Sequence, residues 1–170
     1  TLKGEPIKSL QEVSIELPVS AHVPFDYISK EDLRLEAYRK LSICKELEDV
    51  SMIQSEWVDR FGPIPDAANN LLSVARLRCV ARKHGISEIS GRNLQHSEGG
   101  KWVAKLSQIN LRPSEVVKVK RLHAGSVFKE SLSELHIVFS RSHTPVQDLV
   151  DYLQGVSTAP EISSPEPSMQ

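Results

Sequence analysis

Apolar residues recur every three or four positions in the first half of the chain, whereas they alternate with polar residues in much of the second half. The first spacing is typical of amphipathic helices, and the second is typical of half-buried strands. Leu33, Ala37 and Leu41 follow the helical spacing and predict a first helix. The same spacing predicts a second helix at about residues 51–60 and a third at about 66–84.

Alternating segments predict a small sheet that forms mostly after the helices. One short strand comes before them, where Val13, Ile15 and Leu17 alternate with polar residues. The later alternating segments are residues 86–95, 101–109, 115–121 and 134–140, and residues 96–100 form a turn between the first two. Because helices gather early and strands late, the fold class is predicted to be α+β. We expect the N-terminal strand and the helices to pack on a mainly antiparallel sheet.

A closing C-terminal helix is predicted after the last strand. Thr144 and Gln147 have the spacing of a capping box, in which two side chains bond the backbone N–H groups at the start of a helix. Pro145 falls at the first helical position, where its missing N–H costs nothing, and Gly155 ends the helix.

The ends of the chain differ in composition from the segment between them. Residues 1–12 show no periodicity and are interpreted as a linker, and residues 13–155 as one folded domain. Residues 156–170 are rich in Ser, Pro and Glu and are predicted to be disordered. The chain begins with Thr1 rather than methionine, so we expect it to be a piece of a longer protein.

The sequence DRFGPIPD predicts a sharp corner between the second and third helices. Gly62 can adopt the left-handed conformation that ends a helix. Pro63 and Pro65 cannot continue a helix but can stand at the start of the next one. At about 100° per residue, Trp57 and Phe61 share the apolar side of the second helix, so both are expected to be buried against its neighbours.

The opposite side of the second helix is charged. Glu56 and Asp59 lie on it, and Arg60 lies at its margin. Spacing alone favours ordinary solvated charges here over a functional surface.

The sequence lacks the motifs of nucleotide-binding, metal-binding and nucleophilic catalytic sites. The chain has 170 residues, of which 39% are hydrophobic and 25% charged, with a net charge of −1, as in a soluble globular protein. It contains no phosphate-binding loop, no histidine spacing typical of a metal site and no nucleophile–base pair, so no cofactor is expected. Cys44 and Cys79 lie far apart and indicate two buried thiols in a reducing cytoplasm.

An uneven charge distribution leaves a nucleic-acid contact open as an alternative. Residues 1–70 carry a net charge of −5, and residues 71–170 carry +4. Because phosphate contacts need arginine or lysine side chains, a basic set in the second half could form such a contact. This set consists of Arg76, Arg82, Lys118, Lys120 and Arg121. In the strand predicted at 115–121, however, the lysines would simply alternate with valines on the solvated side.

Two long blocks carry a resemblance to a known family. They are IELPVSAHVPFDYISKEDLRLEAYRKL, at residues 15–41, and EWVDRFGPIPDAANNLLSVARLRCVARKHGI, at residues 56–86. Both resemble the C-terminal domain of the bacterial transcription-repair coupling factors, and the likeness is strongest over residues 13–91. In that family, an LPV strand continues into a DYI segment, and a helix ending in DRFG leads into the next helix.

The resemblance implies a regulatory role in a larger DNA translocase. In this family, the parent protein displaces stalled RNA polymerase and recruits excision repair, and its C-terminal domain is a non-catalytic clamp. The clamp docks on the parent's N-terminal module, where it masks the site for the excision-repair damage sensor and restrains the ATPase motor. Carried over, the docking residues are Glu56, Asp59 and Arg60. The resemblance also implies a monomeric, cytoplasmic domain that contacts no membrane.

Overall fold

The computed structural model describes residues 12–94, 100–140 and 144–156. It contains five α-helices, one short 3₁₀ segment and five strands in the described ranges. In chain order, these elements are β1 (Ser14–Glu16), α1 (Glu31–Ser42), α2 (Leu47–Phe61), α3 (Asp66–Lys83), β2 (Glu88–Leu94), β3 (Lys101–Ser107), α4 (Pro113–Leu122), β4 (Val127–Lys129), the 3₁₀ segment (Glu130–Leu132), β5 (Glu134–Ser140) and α5 (Pro145–Gly155).

The strands form one mixed sheet in the order β1-β2-β3-β5-β4. β1 runs parallel to β2, and the remaining pairs are antiparallel. The predicted α+β class with a mainly antiparallel sheet and a closing helix is therefore confirmed. Most of the predicted turn at 96–100, nearly all of the linker at 1–12 and nearly all of the tail at 156–170 lie outside the described residues.

Helix α3 joins two hydrophobic clusters. Leu77 and Ala81 pack in a cluster that includes the inner face of the sheet and α5. Leu72 and Ala75 pack in a second cluster with the buried faces of α1 and α2. The two clusters place α1 and α2 on the side of α3 away from the sheet, so α2 has one face free for solvent.

The prediction of a strand at residues 115–121 is wrong, because this segment is helix α4. Pro113 lies at the start of α4, where a proline favours a helix. Val119 is buried in the cluster under the sheet, whereas Val117 is 68% exposed. The alternation of valine and lysine therefore does not correspond to two faces of a strand. The short strand β4 was not predicted.

Helix α2 begins at Leu47, four residues before the predicted start. Glu46 and Asp49 form a capping box there, in which the Asp49 carboxylate accepts hydrogen bonds from the N–H groups of Glu46 and Lys45, both at 3.0 Å. These two bonds hold the pKa of Asp49 below its ordinary value. The sequence signal was weak because glutamate is an uncommon N-cap residue.

The predicted capping box of α5 is absent. Thr144 is the N-cap residue and Pro145 occupies the first turn, as expected, but the Thr144 side chain makes no capping hydrogen bond. The Gln147 amide instead donates to Asp151 Oδ1 at 2.9 Å, one turn further along the helix. The Thr144 hydroxyl therefore does not cap α5 in the way that its sequence predicted.

The corner between α2 and α3 has the expected position but not the expected backbone conformation. Gly62 has φ +87° and ψ −162°, which is an extended conformation with positive φ rather than the left-handed helical one. Its carbonyl oxygen accepts a hydrogen bond from the Tyr27 hydroxyl at 2.9 Å. Trp57 is buried as predicted, whereas Phe61 is only half-buried. Pro65 is the N-cap residue of α3.

We expect Gly62→Val to destabilise the domain by about 1 kcal/mol or more, because this region of φ and ψ is accessible almost only to glycine. A Cβ at this position meets no atom within 4 Å, so the cost comes from the backbone alone. Gly155→Val is the matched control, since its added Cβ also meets nothing within 4 Å and its φ is not positive. Equal urea midpoints for the two variants would contradict this account.

His84 links the end of α3 to the end of α5. Its Nε2 lies 2.7 Å from the Leu153 carbonyl oxygen. Burial lowers the pKa of His84, and burial also lowers that of His123. The folded domain therefore favours the neutral form of both rings.

This burial predicts that acidification destabilises the domain. The unfolded chain binds a proton at His84 and at His123 near pH 6.5, while the folded chain binds these two protons only at lower pH. The contribution of the two neutral histidine rings to the free energy of unfolding is complete above about pH 6.5. It is lost as the pH falls through the pKa values of the folded state. Urea unfolding at pH 7.5, 6.5 and 5.5 measures this dependence. The change of the unfolding free energy with pH should be smaller in His84→Gln than in His22→Gln, in which an exposed histidine is replaced. An identical pH dependence in the two variants would rule out the contribution of His84.

Candidate docking surface

The outward face of α2 forms a shallow hollow that contains all three predicted docking residues. We call it the α2 surface, and it is lined by Glu48, Ser51, Met52, Ser55, Glu56, Asp59 and Arg60. The opposite face of α2 is buried through Val50, Ile53 and Trp57. The amphipathic sequence of α2 therefore decides which residues face solvent.

Aromatic packing beneath α2 holds the helix in place. The Tyr27 ring contacts Trp57 and Phe61 edge-on, with ring centroids 6.5 and 5.8 Å apart. The Tyr27 hydroxyl also lies 3.2 Å from the Trp57 carbonyl oxygen, in addition to its bond to Gly62. These contacts tie the buried side of α2 to the loop before α1, so they fix which side of the helix carries the α2 surface.

Glu56 lies at the centre of an ion-pair network. Its Oε1 is 3.0 Å from Lys40 Nζ on α1 and 3.0 Å from Arg60 Nη1 on α2, and Lys40 also lies 3.4 Å from Glu36. The hydrogen bonds from Lys40 and then Arg60 lower the pKa of Glu56, and the bond with Glu56 raises that of Lys40. These side chains are a third or more exposed, so each pair contributes at most about 1 kcal/mol.

The three predicted residues therefore lie together but differ in availability. Glu56 is already paired with α1, a contact that the sequence analysis did not foresee. Arg60 is paired with Glu56, and its guanidinium lies 5.0 Å from the centre of the Phe61 ring. Asp59 is exposed and makes no ion pair within the described part of the chain. It is the carboxylate of this set that is most available to a partner.

Two exposed apolar side chains adjoin these charges and were not predicted as site residues. Met52 is 72% exposed and lies in the α2 surface, and Ile43 is 65% exposed after the end of α1. Both line a neighbouring groove together with Lys40 and Glu56. The sequence signal for Met52 was its position off the apolar stripe of α2. Large exposed apolar residues beside charges are typical of protein-binding surfaces.

The alternative basic set does not form one surface. Arg76 donates to the Gln54 side chain, and burial lowers the pKa of its guanidinium. Arg82 donates to the Cys44 carbonyl oxygen at 3.0 Å. Arg76 thus joins α3 to α2, and Arg82 joins α3 to the loop between α1 and α2. The other three members, Lys118, Lys120 and Arg121, are exposed on α4.

The described residues contain no cluster typical of a metal centre, and their two cysteines are buried. Within residues 12–94, 100–140 and 144–156, no group of three His, Cys, Asp or Glu side chains could hold a metal ion. Burial raises the pKa of the thiols of Cys44 and Cys79, which disfavours a reactive thiolate. No helix among these residues is long and apolar enough to cross a membrane.

Comparisons with known proteins agree on one family. A family model described as the TRCF domain matches residues 17–99. The transcription-repair-coupling factor of Mycobacterium tuberculosis is 32% identical over 142 residues, which cover 82% of this chain and 11% of that protein. The corresponding protein of Escherichia coli is 37% identical over 81 residues, which cover 48% of this chain and 7% of that protein. This chain thus spans only a small part of the length of these relatives.

A solved structure agrees with the same assignment. It is described as the C-terminal domain of transcription-repair coupling factor, and it matches with a TM-score of 0.65 over 85% of this chain and 92% of that chain. The sequence identity is 18%, so this likeness shows the fold alone. From the sequence matches and the shared fold together, the chain belongs to the TRCF domain family, the C-terminal domains of transcription-repair coupling factors.

Proposed function

We propose that this chain is the regulatory C-terminal domain of a DNA translocase that couples transcription to repair. In this proposal it is a monomeric, non-catalytic clamp within a cytoplasmic protein. It docks on the repair-protein-like N-terminal module of the same parent chain. Docking masks the site for the excision-repair damage sensor and restrains the ATPase motor until the parent engages RNA polymerase and DNA.

The observation that carries this proposal is the composition of the α2 surface. It combines an unpaired carboxylate, that of Asp59, with the paired charges of Glu56 and Arg60 and the exposed side chain of Met52. A partner surface with basic and apolar side chains would complement it. Charges of this kind give orientation and selectivity more than affinity, which suits a clamp that must open.

The same ion pairs predict that the domain docks on its partner with only moderate affinity. Because Lys40 and Arg60 already satisfy Glu56 in the free domain, a partner gains little by pairing with that carboxylate. The free-energy difference between the docked and undocked states is then small enough to be reversed by binding events elsewhere in the parent.

The test is the triple variant Glu56→Ala, Asp59→Ala and Arg60→Ala in the whole parent protein. A loss of about 1.4 kcal/mol in docking free energy would raise the undocked population about tenfold. We expect higher basal ATPase without RNA polymerase and stronger capture of the damage sensor in a pull-down. The isolated domain should lose less than about 2 kcal/mol of stability, because the change removes two exposed ion pairs and Lys40 retains Glu36.

The triple variant Lys118→Ala, Lys120→Ala and Arg121→Ala is the matched control. It removes three exposed charges from α4 and should leave basal ATPase and sensor capture at the level of the unaltered protein. Filter binding of DNA at two salt concentrations, with and without the α4 changes, tests the alternative role in nucleic-acid contact. If the α2 variant melts normally yet changes neither ATPase nor sensor capture, its charges are merely solvated and the proposal is wrong.

A further inference from the structure

Helices α4 and α5 line a groove that the docking proposal does not use. We call it the α4–α5 groove; its volume is about 340 Å³. The α4 side consists of Glu115, Lys118, Val119 and Leu122. The α5 side consists of Asp148, Asp151, Tyr152 and Gly155. Both sets have the spacing i, i+3, i+4 and i+7, so each helix presents one face to the groove over two turns, or about 10 Å.

Electrostatic contacts place a carboxylate at each end of the groove. Burial lowers the pKa of His123, and its hydrogen bond to Val138 and the nearby charge of Asp148 oppose this change. Burial raises the pKa of Tyr152, and the charge of Glu115 adds to the increase. Asp148 therefore lies beside the end of α4, whereas Glu115 lies in its first turn. Because these positions are at opposite ends of α4, the two carboxylates mark opposite ends of the groove.

The floor between these carboxylates is largely apolar. The His123 ring meets Phe139 and Tyr152 edge-on, with centroids 4.9 and 5.7 Å apart. Val119 is buried beneath the groove, whereas Leu122 is 60% exposed at its rim. An exposed leucine beside an apolar floor leaves surface that an apolar side chain of a ligand would remove from water.

Some of the charges along the groove are available to a ligand. Asp148 is half-buried and Asp151 is exposed, and neither forms an ion pair with another described residue. Lys118 is exposed and likewise has no ion-pair partner in the described ranges, so it does not neutralise them. A cation on a ligand can therefore pair with α5 without first breaking an ion pair, unlike a ligand of Glu56 on the α2 surface.

We propose that the α4–α5 groove binds a basic amphipathic segment of a partner protein, in which an aliphatic side chain stands between two lysines or arginines. The aliphatic side chain packs against Val119, Leu122 and Tyr152, and the two cations face Glu115 and Asp148. An amphipathic segment that lays its apolar side into a groove between helices is a recurring mode of peptide recognition. This surface shares no residue with the α2 surface, so the proposal is independent of docking.

The charge of the groove argues against the next segment of this chain as its occupant. Val156 lies in the lining, and residues 157–170 follow it directly. Those residues include Glu161 and Glu166 and contain no lysine or arginine. Like charges would face each other if that segment entered the groove, whereas a basic segment complements it.

The test is a titration of the ¹⁵N-labelled 170-residue chain, followed by nuclear magnetic resonance. The probe is the acetylated, amidated peptide AAKAALAAAKAA, in which leucine stands between two lysines at helical spacing. AAEAALAAAEAA reverses its charges, and AAKAASAAAKAA removes its leucine. We expect saturable shifts of the amides of residues 115–123 and 148–156 with the first peptide, and binding about threefold or more weaker with each of the others. The amides of residues 31–34 should not move.

Paired variants show whether the carboxylates of the groove are responsible. Glu115→Gln combined with Asp148→Asn should weaken binding of the first peptide about threefold or more, because two ion pairs are lost. Glu31→Gln combined with Asp32→Asn is the matched control, since it removes two exposed carboxylates from the first turn of α1 and should leave binding unchanged. Equal affinity of the two double variants, or equal binding of the charge-reversed peptide, would overturn the proposal.

Two other occupants of the groove would give different results. Shifts of the same amides on dilution without peptide would assign the groove to a second copy of this chain. Shifts of the amides of residues 162–170 on addition of the peptide would assign it to the segment that follows α5. Either result would overturn the assignment to a basic partner.

Discussion

Helix α3 is buried on two sides, and the positions of the other elements depend on this burial. Leu77 and Ala81 are fully buried on the side of the sheet and α5, and Leu72 and Ala75 are buried on the side of α1 and α2. A helix with two apolar faces cannot satisfy both against one layer, so it requires a layer on each side.

The orientation of α2 follows from α3 through the short corner at Gly62. The carbonyl oxygens of Trp57 and Gly62 both accept hydrogen bonds from the Tyr27 hydroxyl, so the loop before α1 holds the end of α2. Trp57 then directs the charged side of the helix outward. Lys40 reaches across from α1 to Glu56 and joins the two helices at the surface. The proposed docking residues are thus positioned by buried contacts that none of them makes itself.

Local patterns were sufficient to predict those features that depend on neighbours in sequence. The burial of Trp57 follows from helical spacing. The pair Lys40–Glu56 spans 16 residues and depends on how α1 packs against α2, so no spacing could reveal it.

The same distinction between local patterns and tertiary contacts accounts for two wrong predictions, the strand at residues 115–121 and the capping box of α5. The valines and lysines of α4 alternate, but Pro113 suits a helix start and Val119 packs against the cluster under the sheet, and both favour a helix. At α5, Thr144 and Gln147 have the right spacing for a capping box, yet Gln147 bonds Asp151 instead. Alternation and motif spacing report local preference, and tertiary contacts or competing side chains override that preference where it is weak.

The sheet has a consequence for the behaviour of the domain at high concentration. Both outer strands, β1 and β4, have only three residues, while the three inner strands have seven each. An exposed outer strand is a template for pairing with another chain, and a three-residue strand offers few backbone groups for it. Lys129 also places a charge on the β4 side. At high concentration, the sheet therefore offers other copies of the domain little backbone for edge-to-edge pairing.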